Sequence, residues 1–334
     1  MADLRFAVFG AGFWAEFQIA AWLEIGGAAP VAIYNRTVAK AETLAQRFNI
    51  PRVYGDPEEL FRNEQLDFVD IITEVPAHAP LVLLAAKYKV PVICQKPMGP
   101  DYETCIRMVT ACRDAGIPFM IHENFRWMAP LRAVKQVLQA GVLGVPYRAR
   151  FQFWHGTAEQ LDNQPSLKTL KRWILTDIGS HAFDLARFLF GEPESLYCQH
   201  LRTGIAAGAL GEDVATVVLK IGSLICELAF GYRHDPMLVV EGTAGVLELS
   251  ADGEMVVSTA AGVARTRPQY PRYAWADPSY GPSHPAIVDT NAHLLQSLKT
   301  GRPAVTSGDD NLKTMRLVYT AYDSAERNQV VALE

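Results

Sequence analysis

Residues 4–15 read Leu4-Arg5-Phe6-Ala7-Val8-Phe9-Gly10-Ala11-Gly12-Phe13-Trp14-Ala15. An apolar run of strand length ends in Gly-Ala-Gly and passes directly into helical spacing through Trp14, Ile19 and Leu23. Gly10, Gly12 and Ala15 fit GxGxxA. In that pattern the first glycine permits a tight turn, the second lets backbone approach a pyrophosphate, and the small third residue lets helix and strand pack closely. Phe13 and Trp14 open the helix, whose first-turn N–H groups and positive dipole end suit phosphates. A glycine turn also joins strands to helices for structural reasons alone; its place at the head of a βαβ unit points to a dinucleotide.

Working outward, the first third alternates buried-type strands with helices. Strands are expected at 31–34, 68–72, 90–94 and 118–121, and helices at 38–48, 78–88 and 101–115. Near-continuous apolar strands joined by helices imply a parallel sheet covered on both faces. The pattern changes near residue 126. After a helix at 130–140, residues 147–154 alternate like a half-exposed strand, and a helix near 176–190 follows. Strands are then expected at 195–202, 213–220, 224–230, 237–241, 245–249 and 254–258. Residues 262–285 read as a long surface loop, and helices at 285–299 and 309–327 finish the chain. The expected fold class is therefore α/β. A Rossmann dinucleotide-binding domain fills residues 1–126, and a domain with a large open, mainly antiparallel sheet fills 127–334, its last helix packing back on the first domain.

Composition narrows the class. The chain has 334 residues, 49% apolar and 20% charged, with a formal charge of −5. That excludes a disordered chain and gives no basic block for nucleic acid. Cys94, Cys105, Cys112, Cys198 and Cys226 are odd in number and widely spaced without a CxxC pair, which fits a reducing cytoplasm rather than a disulfide framework. No uninterrupted apolar run has the length of a membrane span, and with a strand beginning at Leu4 no signal peptide is expected.

At the end of the second strand, Tyr34-Asn35-Arg36-Thr37 places Asn35 where NAD sites usually have an acid, with Arg36 beside it for a 2′-phosphate; this leans towards NADP. Asn35 bonding an unphosphorylated ribose, with Arg36 solvated, stays open. Val92-Ile93-Cys94-Gln95-Lys96-Pro97 ends a strand in a Lys, and carboxyl ends of strands face the ligand crevice in such sheets. Thr176-Asp177-Ile178-Gly179-Ser180-His181 places Asp177 and His181 at i, i+4 on one helix face. A carboxylate there can fix one ring nitrogen and leave the other to exchange a proton. Arg126, Trp154, His155, Arg172 and Trp173 are candidates to line a polyol pocket, with core or interface roles an equal alternative. The clusters His122-Glu123 and Asp177/His181/Asp184 give no closed ligand set, so no metal is expected.

Taken together, GxGxxA, Lys96-Pro97 after the strand at 90–94 (the family's fifth) and Asp177-x-x-x-His181 resemble the Gfo/Idh/MocA oxidoreductases, the glucose–fructose oxidoreductase and inositol dehydrogenase family. Thr73 with His78 resembles its cofactor-side loop after the fourth strand, and Asn124 with Arg126 its motif after the sixth. The resemblance implies hydride transfer between nicotinamide and a sugar, polyol or keto-sugar carbon. His181 would be general acid/base, Asp177 its partner and Lys96 the group holding the substrate hydroxyl. It further implies substrate contacts from Asn124 and a homodimer or homotetramer through the C-terminal sheet. Two positions depart from the family. Gln95 stands where Glu is usual, and Glu74-Val75 replaces the usual Pro-Asn after Thr73, which puts a carboxylate near the cofactor. Two other functions stay open: a glycosidase or lyase that recycles tightly held NAD, and a non-catalytic nucleotide sensor.

Overall fold

The computed structural model describes residues 3–154, 158–206, 208–231 and 237–333. The chain divides into two compact units, residues 1–124 with 272–315, and residues 125–271 with 316–334.

The first unit contains β1 (Leu4–Phe9), α1 (Phe13–Ile25), β2 (Ala28–Tyr34), α2 (Val38–Phe48), β3 (Val53–Tyr54), α3 (Pro57–Asn63), β4 (Phe68–Ile71), α4 (Val75–Lys87), β5 (Val92–Gln95), α5 (Tyr102–Ala115) and β6 (Phe119–His122). The strands form one parallel sheet in the order β3-β2-β1-β4-β5-β6. The order reverses between β1 and β4, the position where such sheets bind ligands beyond their carboxyl ends. Strands β4, β5 and β6 are buried at every position, which is why they read as near-continuous apolar runs, interrupted by Asp70, Gln95 and His122. Local chemistry marks the helix ends. Asp56 and Asp101 cap α3 and α5 with their carboxylates, and Gly116 closes α5 in the left-handed region at φ 69°. The sequence reading omitted β3 and α3, because a two-residue strand and a seven-residue helix carry too little periodicity.

The second unit holds α6 (Ala129–Gln139), β7 (Pro146–Trp154), α7 (Ala158–Asn163), α8 (Ile178–Phe190), β8 (Ser195–Leu201), β9 (Val214–Ile221), β10 (Leu224–Gly231), β11 (Leu238–Gly242), β12 (Gly245–Leu249), β13 (Met255–Thr259) and β14 (Gly262–Thr266). Helix α9 (Ser283–Thr300) then belongs to the first unit, the division falls inside α10 (Gly308–Arg327), and β15 (Val331–Ala332) ends the chain. The second sheet runs β14-β13-β12-β11-β7-β10-β9-β8-β15. It is antiparallel except where β10 pairs parallel with β7. Along β9, buried Ala215, Val217 and Leu219 alternate with exposed Thr216, Val218 and Lys220, the signature of a sheet with one covered face.

Two expectations change. Residues 262–285 are not one loop: 262–266 add an edge strand, and α9 begins at Ser283. Within the first unit it is α9 that packs on α1, its Leu294 and Leu295 joining the core of Phe6, Ile19, Trp22 and Phe68. The final helix α10, expected within the second domain and packed back on the first, is divided between the two units, with its beginning in the first. All five cysteines are buried free thiols. No helix among the described residues is long and apolar enough to cross a membrane.

Candidate active site

Gly10 follows β1 with φ 118°, and its N–H donates to Tyr34 O at 2.8 Å. A Cβ there would lie 2.6 Å from Ile72 O, so only glycine lets the first turn pass the end of β4. Gly12 is the N-cap of α1 in extended geometry with no side chain capping the helix, and the space where its Cβ would stand is open to 4 Å. Backbone donors at this helix start therefore stand beside open space. Glu16, the acid of the first turn, is paired with Arg47 at 2.6 Å. Thr73 Oγ1, after β4, is buried without a hydrogen-bond partner. These features fit a dinucleotide: the N–H groups at the start of α1 would hold its pyrophosphate, and Thr73 would offer a hydroxyl.

The side chains of Phe13 and Trp14 turn elsewhere. They join an aromatic cluster with Phe17, Tyr280 and His284, which leaves only their backbone to meet a cofactor. Within it, burial pulls the His284 pKa down to about 4. Asn35 is engaged by the backbone on both sides, accepting from Ala11 N–H at 3.1 Å and donating to Thr37 O at 2.8 Å. Arg36 and Thr37 stand exposed beside it. Glu74 is exposed at the start of α4. His78 is fully buried, with Nδ1 3.1 and 3.2 Å from the carbonyls of Pro97 and Met98 and Nε2 3.0 Å from Thr73 O. It braces the loop after β4 against the loop after β5, and burial lowers its pKa. Lys96 is half-buried, its peptide bond to Pro97 is cis, and its N–H donates to Gln95 Oε1 at 3.2 Å.

In the second unit Asp177 is the N-cap of α8 and His181 lies one turn on, 4% exposed. The His181 ring stacks flat on Phe125, with centroids 3.7 Å apart and planes at 3°. That fixes the ring plane, a contact no sequence motif signals. One turn further, buried Asp184 takes a bidentate pair from Arg126, with both N–O distances 2.6 Å.

The polyol-lining candidates are dispersed. Arg126 is committed to Asp184, so it braces α8. Asn124, in the first unit, donates to Ser283 O at 2.9 Å and Ser283 Oγ at 3.2 Å. Trp173 is 0% exposed in a cluster with Leu161, Leu167, Ala206 and Ala209, and offers no face to a sugar. Arg172 pairs with Glu326 at 2.7 Å and lies over the Tyr322 ring. Trp154 ends β7, but its side chain and all of His155 lie outside the described residues. Sequence reasoning missed Glu212, a buried carboxylate that accepts from Trp173 N–H at 3.0 Å and Tyr322 O–H at 2.5 Å. It anchors the segment leading into α8. Among the described residues, no group of three or more His, Cys, Asp or Glu side chains is arranged to hold a metal ion.

Residues 4–123 match the oxidoreductase family with the NAD-binding Rossmann fold, and residues 131–248 match the GFO/IDH/MocA C-terminal domain. The chain belongs to the Gfo/Idh/MocA family. It is an enzyme, an oxidoreductase with an NAD-binding Rossmann domain. Among its relatives, D-apiose dehydrogenase of Rhizobium rhizogenes is 35% identical over 99% of this chain and 98% of the relative. D-apiose dehydrogenase of Paraburkholderia graminis is 36% identical over 98% of this chain and 89% of the relative. An oxidoreductase from Agrobacterium radiobacter, crystallised with NAD+, L-tartaric acid and magnesium, superposes with a TM-score of 0.94 at 35% identity, covering 99% of this chain and 98% of that one.

Proposed function

We propose that this enzyme is an NAD(P)-dependent sugar dehydrogenase acting on a small aldose of the D-apiose type. The observation that carries the reading is identity of 35% and 36% to two D-apiose dehydrogenases along essentially the whole chain. The dinucleotide, when bound, supplies the hydride acceptor or donor. Lys96 donates a hydrogen bond to the substrate oxygen and stabilises the alkoxide developing there. His181, its ring plane held by Phe125, takes that oxygen's proton in oxidation and returns it in reduction. Asp177, four residues before His181, orients the ring. Asn35 is already engaged by backbone, so Arg36 is the side chain that would meet a 2′-phosphate, and NADP is accepted alongside NAD. Thr73 and the start of α1 complete the cofactor contacts. Five buried thiols accord with a reducing cytoplasm. The exposed face of the second sheet, with Ile225 52% and Val218 38% exposed, is the surface on which copies would pair.

The test is a panel of D-apiose, other aldoses, inositols and keto-sugars, read by absorbance of reduced cofactor. D-apiose should give the highest kcat/KM, with one cofactor consumed per sugar. Preference for an inositol would overturn the substrate, and turnover without net cofactor reduction would overturn the dehydrogenase reading.

A further inference from the structure

Asp70 sits in the middle of β4, 0% exposed, in the parallel sheet. Its two oxygens accept from Gln18 Nε2 at 2.8 and 2.9 Å, and Oδ2 also accepts from Trp22 Nε1 at 2.7 Å. Gln18 is itself fully buried, and its Oε1 accepts from Gln95 Nε2. Gln95 Oε1 then accepts from the N–H of Lys96. A single file of hydrogen bonds thus runs from a buried carboxylate on β4, through α1, to the end of β5.

The direction of each bond follows from the first. An ionised carboxylate only accepts, so Gln18 must turn its NH2 towards Asp70 and its oxygen away. Gln95 must answer that oxygen with its own NH2, which leaves its oxygen for Lys96. We propose that Asp70 is a positioning residue that sets, through Gln18, the orientation of Gln95 and thereby holds the backbone of Lys96. The proposal rests on the reading of Lys96 as a site residue. It also accounts for Gln95. A Glu at this position, the residue usual in the family, would set a second carboxylate against Gln18 Oε1, acceptor against acceptor. In this chain the carboxylate stands two links back, and an amide at the end of β5 is what that arrangement demands.

The experiment uses four variants at pH 8, above the value of about 7 to which burial raises the Asp70 pKa. Asp70→Asn places a donor against the Gln18 NH2, and the cheapest repair turns both amides over, leaving Gln95 NH2 facing the Lys96 N–H. Gln95→Glu collides with Gln18 Oε1. In the double variant Asp70→Asn/Gln95→Glu the whole file reverses without conflict. The new amide on β4 donates to Gln18, Gln18 donates to the new carboxylate at the end of β5, and that carboxylate accepts from the Lys96 N–H.

Two readouts are taken, hydrogen exchange of the Lys96 amide in cofactor-free protein labelled with 15N-lysine, and kcat with KM on the sugar. Loss of one hydrogen bond corresponds to about tenfold. Each single variant should therefore speed Lys96 exchange and lower kcat by about tenfold, with KM little changed. The double variant should return both to within about threefold of the parent. A second double variant, Asp70→Asn/Gln18→Glu, moves the carboxylate one link, keeps the orientation of Gln95 and should recover likewise; it carries the test if Asp70→Asn alone fails to fold. Additive losses in the double variants, or single variants with unchanged Lys96 exchange, overturn the proposal. Exchange is read without substrate. A recovered exchange pattern in a protein that oxidises no sugar would uphold the relay and reject the sugar reading.

Discussion

Arg36 stands exposed past the end of β2, one residue beyond an Asn35 whose amide is engaged by the Gly-Ala-Gly turn and Thr37. The residue types were visible in the sequence; the engagement of Asn35 was not, because it depends on β2 lying beside β1. A charge-assisted bond to a 2′-phosphate is worth roughly 1.5–3 kcal/mol. Arg36→Ala should therefore weaken NADP binding by at least tenfold and leave NAD within about twofold, read by fluorescence titration of the free enzyme. Equal loss for both dinucleotides would remove the 2′-phosphate role. On the proposed roles, His181→Ala and Lys96→Ala should each lower turnover by roughly 10²–10⁴-fold with dinucleotide binding retained. Near-parental turnover in either would unseat that residue. Both stand out as candidates because each sits in a short local pattern, Lys-Pro after a strand and Asp-x-x-x-His on a helix. The Phe125 ring against His181 was not, since 56 positions separate the two in sequence.

Helix α8 shows what an element-level reading captures and what it omits. Asp177, His181 and Asp184 follow one another at helical spacing, so their shared stripe could be read directly. Their partners could not. Asp184 holds Arg126, 58 residues away, and Arg187 approaches it to 3.9 Å. The pair joins the short turn at Phe125–Trp127 to α8 and keeps Phe125 over His181. Both side chains are nearly inaccessible, so removing one charge leaves the other buried without its counter-ion. Asp184→Asn should cost about 3–5 kcal/mol, read as a fall in the urea midpoint with an unchanged slope. A cost below about 1 kcal/mol would mean that water or another group replaces the carboxylate. Trp173 and Arg172 follow the same logic. Their aromatic and basic character suggested a sugar pocket, while Glu212 and Glu326, neither near them in sequence, decide their actual surroundings.

Across the whole molecule, the change of pattern near residue 126 was legible because parallel and antiparallel strands carry different periodicities. The return of residues 272–315 to the first unit was not, since the spacing of α9 shows that one face is apolar without showing which sheet it covers. Global stability carries a further consequence of this packing. Burial raises the Asp70 pKa from 3.8 to about 7, opposed by its bonds from Trp22 and Gln18; Cys94 on β5 is the neighbouring titratable group, and burial with the nearby carboxylate keeps its thiol protonated. Between about pH 4 and 7 the unfolded chain has released the Asp70 proton while the folded chain still holds it. Folding therefore loses stability as pH rises through that window and levels off above it. Other carboxylates act in the opposite sense, so the contribution is isolated by difference against Asp70→Asn. Between about pH 5 and pH 8 the stability of the variant should gain on the parent by roughly 2–3 kcal/mol. Urea unfolding at half-unit pH steps measures it, and parallel curves for the two proteins would show that Asp70 is ionised throughout and that its hydrogen bonds outweigh its burial.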